Sequence, residues 1–350
     1  MKWAWLGVGL AALAVRTVAL FAIVPELKPD VDLDYYRSVA RSVANGDGFC
    51  VDGVPNVART PVYPLFLAGL MRLGGDRLGW FLAAQCLLGA ITSALVVRLA
   101  RHWLSPVPAT IAGLLVAFDP NSVVRCLDLR TEILFTALLT TGTWLLVKDR
   151  WAWAGFVWSL AALCRPIAVF LPVVATIWWL TQRPRPARLV WLTLCFAPLL
   201  LLWMARNAQI TGQWFVSSIS TINLLHYHAA ALEAEPLDQV QARYLREFGS
   251  AEFCEDRAAF AARLRAMRQQ ALAVIAANPV TMARQMTIGC AKIMFGPGAR
   301  SLESSLRQPA RDGRWWVPAY IAALLLLWVA AGIGAVALGR TSALLVALVI

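Results

Sequence analysis

The sequence predicts an all-α polytopic membrane protein with a small helical extracytoplasmic insertion. Hydrophobic residues make up 59% of the 350 residues, and 16 are Trp. The mean hydropathy is +0.63, whereas soluble domains are nearer about 45–50% apolar. Apolar runs recur from end to end rather than in one block, as in a helical bundle. The net charge is +12, and many of the basic residues sit in short loops between apolar runs. They form no basic patch interleaved with aromatics, so no nucleic-acid partner is expected. Basic loops orient a membrane protein and meet anionic membrane lipids.

The elements follow in order. Met1-Lys2 and the apolar run after it lack a small-residue cleavage site, so residues 3–24 read as an uncleaved first span. Arg16 interrupts it and must snorkel or face the protein interior. Residues 25–76 form a polar first outer loop. A short amphipathic helix is expected over 34–44, with Tyr36, Val39, Ala40 and Val43 on one face. Asn45-Gly46-Asp47-Gly48 ends it in a turn, and the apolar segment 61–73 is too short to span and suits the interface. Further apolar segments fall at 78–97, at 107–118 behind Pro106 and Pro108, and at 133–147, 151–163, 167–181 and 189–205. Residues 206–314 are the longest polar region, helical over 236–276, broken at Asn278-Pro279, with an interfacial helix at 280–296. Residues 316–338 are a span with Trp315 and Trp316 at its mouth, and 343–350 begin another apolar run. Three domains are expected: 1–205 as a transmembrane module, 206–314 as the helical insertion, and 315–350 as a short C-terminal membrane segment.

With the N-terminus cytoplasmic, Arg98, Arg101, Lys148, Arg150, Arg183, Arg185, Arg188 and Arg340 share the cytoplasmic side, with Asp149 as its one acid. The carboxylates then collect on the outer face. The seven Cys show no metal spacing. Cys86, Cys164, Cys195 and Cys290 read as small hydrophobes. Cys50, Cys126 and Cys254 fall in outer segments where a disulfide is allowed, with the pairing open. His226-Tyr227-His228 lacks a third ligand, so neither metal nor cofactor is expected.

Charged residues recur at the outer ends of the expected spans: Asp30, Asp32 and Asp34 with Arg59, Glu132 with Arg130, then Arg165 and Arg206. Charge at that depth is costly unless solvated, paired or used. A carboxylate can take a proton from an acceptor hydroxyl, and arginines can hold a phosphate. Group transfer from a lipid-phosphate donor fits this set, provided one cavity gathers it. Each residue also has a plainer reading. Asp32 could be a solvated or capping acid, Arg59 an interface snorkeller, Glu132 a first-turn acid favoured by the helix dipole. Arg165 and Arg206 could make structural ion pairs or headgroup contacts.

Four segments carry a resemblance: Asp32-Leu-Asp-Tyr-Tyr36 through Gly46-Asp-Gly-Phe49 to Arg59-Thr-Pro-Val-Tyr63-Pro64; Arg130-Thr-Glu132-Ile-Leu-Phe135; Leu163-Cys-Arg165-Pro166 with Pro172; and Trp203-Met-Ala-Arg206-Asn207 with Gly212, Ser217, Ser218 and Asn223. In order and spacing they resemble the GT-C glycosyltransferases, in particular the bacterial family related to protein O-mannosyltransferases and the aminoarabinose transferase of lipid A. The resemblance implies a GT-C-type helix bundle in the bacterial inner membrane, working on its periplasmic face. It implies transfer of a sugar, with inversion, from a polyprenyl-phosphate-linked donor to a lipid, protein or glycan acceptor. Asp32 takes the position of the base, with Asp34 as a rival, and Glu132 orients the acceptor or a partner arginine. Arg59, Arg165 and Arg206 are the expected phosphate ligands; Tyr36, Tyr63, Asn207, Asn223 and His226 are the expected substrate contacts. Leu33 follows Asp32 where the mannosyltransferase branch carries Glu, which leaves the acceptor open. The competing reading is a non-catalytic membrane protein that binds or translocates polyprenyl-linked lipids.

Overall fold

The computed structural model describes residues 3–23, 35–182 and 186–295. Asp30, Asp32 and Asp34, the basic residues Arg183 and Arg185, the expected span 316–338 with Trp315 and Trp316, and residues 343–350 lie outside the described residues. The described chain is almost wholly helical and separates into two compact units. The first contains 3–23, 69–182 and 186–199, and the second 35–68 and 200–294. Boundaries therefore fall inside helices, among them α3 (Val62–Gly74) and α10 (Pro186–Thr211).

The first unit is a bundle. Its helices are α1 (Ala4–Ile23), α4 (Leu78–Ala100), α5 (Pro106–Phe118), α6 (Pro120–Arg125), α7 (Glu132–Val147), α8 (Trp151–Ala162), a 3-10 turn over Pro166–Phe170, α9 (Leu171–Gln182) and the start of α10. Among the described helices α1, α4 and α10 are long and apolar enough to cross a membrane, while α3, α5 and α7 are apolar but shorter. The chain is a multi-pass membrane protein. In lipid the backbone must satisfy its own hydrogen bonds, which is why the apolar runs fold as helices. Small residues set the packing. A Cβ on Gly113 of α5 would lie 2.3 Å from Val97 Cγ2 and 3.0 Å from the Ser93 carbonyl of α4, and one on Gly155 of α8 would lie 2.2 Å from the Leu192 carbonyl of α10. Backbones this close gain dispersion contact that lipid cannot supply.

Asp149, after α7, accepts from Arg188 in the first turn of α10. Arg98 lies over the rings of Trp5 and Trp144, 5.2 and 4.9 Å from their centroids. At the other end Gln85 donates to the carbonyls of Cys126 (3.1 Å) and Asp128 (2.8 Å), holding the 119–132 link to α4.

Arg16 faces the interior and is fully buried. Helix α5 stops at Phe118 because Asp119 leaves helical geometry to cap α6, its Oδ2 accepting from the Ser122 amide at 2.7 Å. That leaves the last carbonyls of α5 without helical donors. Arg16 Nη1 donates to Ala117 O (3.0 Å) and to Ala12 O (3.2 Å); Nη2 donates to Val116 O (3.3 Å) and Ser122 Oγ (2.9 Å). A cation at a helix C-terminus also meets the negative end of the dipole. Gly89 makes the room, since a Cβ there would sit 2.5 Å from Arg16 Nε.

The second unit holds α2 (Tyr36–Asn45), a two-stranded ribbon of β1 (Cys50–Val51) and β2 (Val54–Pro55), and α11 (Ile219–Asn223). It continues with a π turn over Leu224–Ala229, α12 (Leu237–Phe248), α13 (Arg257–Ala277) and most of α14 (Pro279–Phe295). Its core gathers Val57, Leu225, Val240, Tyr244, Phe260, Leu264 and Met267. Helix α2 forms as its apolar face requires, with Val39 and Ala40 buried. Three features differ from the sequence reading. The ribbon adds a small antiparallel pair, paired Cys50 to Pro55 and Val51 to Val54. Asp52 and Gly53 both adopt positive φ (50° and 79°) between the strands, the geometry an Asp-Gly hairpin turn favours. Helix α10 runs through Arg206-Asn207 to Thr211 instead of ending at 205. The helical stretch 236–276 is two helices, separated by a turn at Gly249 and restarted where Asp256 accepts from the Ala259 amide at 2.7 Å.

Replacing Arg16 by Met keeps the unbranched stem and removes the donors to Val116 and Ala117. Thermal unfolding in detergent is expected to show a loss of about 2 kcal/mol or more, the scale of leaving buried carbonyls unpaired.

Candidate functional site

In the second unit the stretch from Pro55 to Arg59 is held on several sides. Val57 N–H donates to the Glu252 carbonyl (3.0 Å), and Cys254 N–H donates to the Pro55 carbonyl (3.1 Å). These bonds and a bridge between Asn56 and Phe253 zip the stretch to 251–254. Ser218 N–H donates to the Val57 carbonyl (3.1 Å), Ser218 Oγ to the Ala251 carbonyl (2.6 Å), and Ser217 Oγ to the Ala58 carbonyl.

Arg206 clamps the ribbon from α10. Nη1 donates to Asn56 O (2.8 Å) and Asn207 Oδ1 (2.9 Å), and Nη2 donates to Phe49 O (3.0 Å). The guanidinium lies over the Trp203 and Phe49 rings, 4.8 and 5.3 Å from their centroids. Asn207 is fully buried and donates to the carbonyls of Phe215 (3.0 Å) and Val216 (3.2 Å). Both residues thus engage backbone, which is the positioning part of the site.

Arg59 follows this frame. Its amide donates to Asn56 Oδ1 at 2.8 Å, and its Nη2 pairs with Glu252 Oε1 at 2.9 Å, with the side chains 11% and 23% exposed. Its guanidinium lies 5.4 Å from the Tyr36 ring centroid, and Tyr36 meets the buried Tyr63 edge to face at 5.0 Å. Arg59, Tyr36 and Tyr63 are therefore brought together, with Glu252 added. No charge spacing or apolar period in the sequence marks Glu252. Only the Gly249-Ser250 break near it signals a loop.

In the first unit Glu132 opens α7 and its Oε1 accepts from Arg165 Nη1 at 3.1 Å; the partner is Arg165 and not the neighbouring Arg130. Glu132 Oε2 is buried without a hydrogen-bond partner. It borders a cavity of about 710 Å3 whose walls include Ile111, Leu115 and Phe118, with Ser122 and Arg125 beside Glu132. A mostly apolar cavity with a few polar groups in its wall is the usual form of a ligand site.

Asn223 is exposed at the end of α11. His226 is half-buried in the π turn, 6.2 Å from the Tyr244 ring and edge to face with it. Burial holds its imidazole below the usual histidine range, so it is neutral near pH 7. The seven cysteines, Cys50, Cys126 and Cys254 among them, are free thiols.

One further cluster braces α12. Arg243 pairs with Glu233 Oε2 and Glu235 Oε1, both at 2.6 Å, and Tyr244 Oη donates to Glu233. The Tyr244 and Arg243 bonds hold the Glu233 carboxyl below its ordinary value of 4.5. A depressed carboxyl contributes stability that is complete above that ordinary value and is lost as pH falls through the lower folded one. Acid titration followed by thermal unfolding should therefore show a loss below pH 4.5 that Glu233→Gln flattens.

The two ion pairs should differ in weight. Glu252→Ala is expected to destabilise by about 1–3 kcal/mol, because it removes a charged acceptor from a largely buried guanidinium. Glu132→Ala should stay within about 1 kcal/mol, since Arg165 is 40% exposed and water screens the pair. Thermal unfolding of the two variants side by side checks this.

The chain was compared with known proteins. No curated protein and no solved structure matches it. The matched stretch contains Arg59, Glu132, Arg165, Arg206 and Asn207, in agreement with the resemblance read from the motifs. Residues 58–207 match the family model of dolichyl-phosphate-mannose-protein mannosyltransferases, a GT-C family of membrane glycosyltransferases.

Proposed function

We propose that the chain is an inverting glycosyltransferase that moves a sugar from a polyprenyl-phosphate donor to a lipid, protein or glycan acceptor. The reaction is placed at the periplasmic face of the bacterial inner membrane. The observation that carries this reading is the family match over 58–207, a stretch that includes Arg59, Glu132, Arg165 and Arg206, while the proposed base precedes it.

The reaction is a single displacement. Asp32, or Asp34 in its place, takes the proton from an acceptor hydroxyl. The freed oxygen attacks the anomeric carbon on the face away from the phosphate, and the carbon–oxygen bond to the phosphate breaks. The polyprenyl phosphate leaves with the electron pair of that bond. Arg59, Arg165 and Arg206 are its proposed ligands, and donors aimed at the departing charge lower the barrier most. Among the described residues Arg206 retains its Nε–H and one Nη2–H after three hydrogen bonds. Arg59 is held firmly by Glu252 and by the frame beneath it. Glu132 orients the acceptor or Arg165, and Tyr36, Tyr63, Asn207, Asn223 and His226 are the proposed substrate contacts. The cavity beside α5 suits a lipid chain, with the polar head toward Glu132.

Membranes containing the chain, supplied with labelled polyprenyl-phosphate sugar and an acceptor extract, test the mechanism. Asp32→Asn keeps the shape and removes the base, so transfer should fall by about a hundredfold or more. Undiminished transfer by Asp32→Asn rejects Asp32. If Asp34→Asn abolishes transfer instead, the base is Asp34.

A further inference from the structure

The second unit contains a hollow of about 300 Å3 beside the π turn, α12 and the 250–252 segment. It lies beyond the residues matched by the family model. Leu245 gives its wall an apolar strip, while His226, Tyr227, Gln241, Ser250 and Glu252 bring groups that hydrogen-bond.

Charge narrows the occupant. No Lys or Arg lines the hollow, and its one carboxylate, Glu252, is already paired with Arg59 at 2.9 Å. An anion would meet no cation there, and a cation would compete with an existing partner. A hydrocarbon chain would strip water from four or five polar groups and return no hydrogen bonds. A metal would find only His226 and Glu252, and no group of three ligand-type residues occurs among the described residues. What remains is a neutral ligand rich in hydroxyls.

The polar groups suit such a ligand. Neutral imidazole offers one donor and one acceptor. Gln241 is fixed by donating to the His226 carbonyl at 2.8 Å, which leaves its amide oxygen as an acceptor. Tyr227 stands 58% exposed, with no ring partner among the described residues. An aromatic ring at a rim gives an apolar face with a polar tip. The volume is at the low end for ligand pockets, room for one ring and not for a chain.

We propose that this hollow binds a single neutral sugar ring of the acceptor, its hydroxyls meeting Glu252, Gln241 and His226 and its C–H face lying on Tyr227. That the ring belongs to the acceptor rests on the transferase reading; that the hollow takes a sugar does not. Glu252 links the two. Its carboxylate faces Arg59, and its backbone carbonyl accepts from Val57, so a ligand in the hollow acts on the residue next to the proposed phosphate ligand. This makes 222–252 the part of the chain that selects acceptors.

Saturation-transfer NMR on the full chain in nanodiscs, with methyl glycosides of glucose, mannose, galactose and N-acetylglucosamine, tests the site. At least one glycoside should bind. Tyr227→Ala, which removes an exposed ring and leaves the core intact, and Gln241→Leu should each weaken binding by about fivefold, the scale of one lost hydrogen bond or contact. Unchanged thermal unfolding of Tyr227→Ala guards against a folding defect. Failure of every glycoside to bind overturns the proposal, and so does binding undiminished in Tyr227→Ala. Displacement of the sugar by a short Ser/Thr peptide at lower concentration would make the hollow a peptide site instead. A chain that binds glycoside but transfers no sugar keeps this site and loses the transferase reading. A chain that transfers normally while no glycoside binds loses this site alone.

Discussion

A guanidinium removed from water must find acceptors, and Arg206 finds them in the backbone of the loop it faces. Its bonds to the Asn56 and Phe49 carbonyls and to Asn207 fix both strands of a two-stranded ribbon at its open end. The Trp203 and Phe49 rings cover its faces. From that ribbon the chain runs to Arg59, whose amide is caught by the side chain of Asn56. One half-buried cation therefore sets the ribbon, the ribbon sets Asn56, and Asn56 sets Arg59. Ring stacking and hydrogen bonding act on the same planar group, a use open to arginine and closed to lysine.

Arg16 solves a similar problem in the first unit. A charge in the middle of a span is tolerated because α5 ends beside it and presents bare carbonyls. The end of α5 is in turn set by Asp119, which caps the next helix. Charge burial and helix termination are thus one arrangement: neither the cation nor the interrupted helix would be stable without the other. Gly89 completes it by leaving space for the guanidinium.

Much of this was legible in the sequence. Apolar runs marked α1, α4, α5 and α7, because a membrane helix must be apolar over a fixed length. The amphipathic face of α2 and the Asn278-Pro279 break were equally plain. The Asp52-Gly53 hairpin carried a readable signal in Val51-Asp-Gly-Val54 that the larger turn at 45–48 overshadowed. The extension of α10 was hidden because Arg206 and Asn207 look like loop residues until their backbone partners are known. Of the site, Arg59, Tyr36 and Tyr63 lie together, and Glu132 pairs with Arg165. Glu252 was illegible. Its partner lies in a distant segment, and a single acid in a polar loop has no period or spacing to betray it.

The zipper between 55–57 and 251–254 has a consequence for how such a chain can diverge. Its bonds run from backbone to backbone, so they are indifferent to most side chains on either strand. The exception is Glu252, whose side chain holds Arg59. The later strand thus sets where the loop lies through peptide groups that any residue but proline supplies, and sets its charge pairing through one side chain.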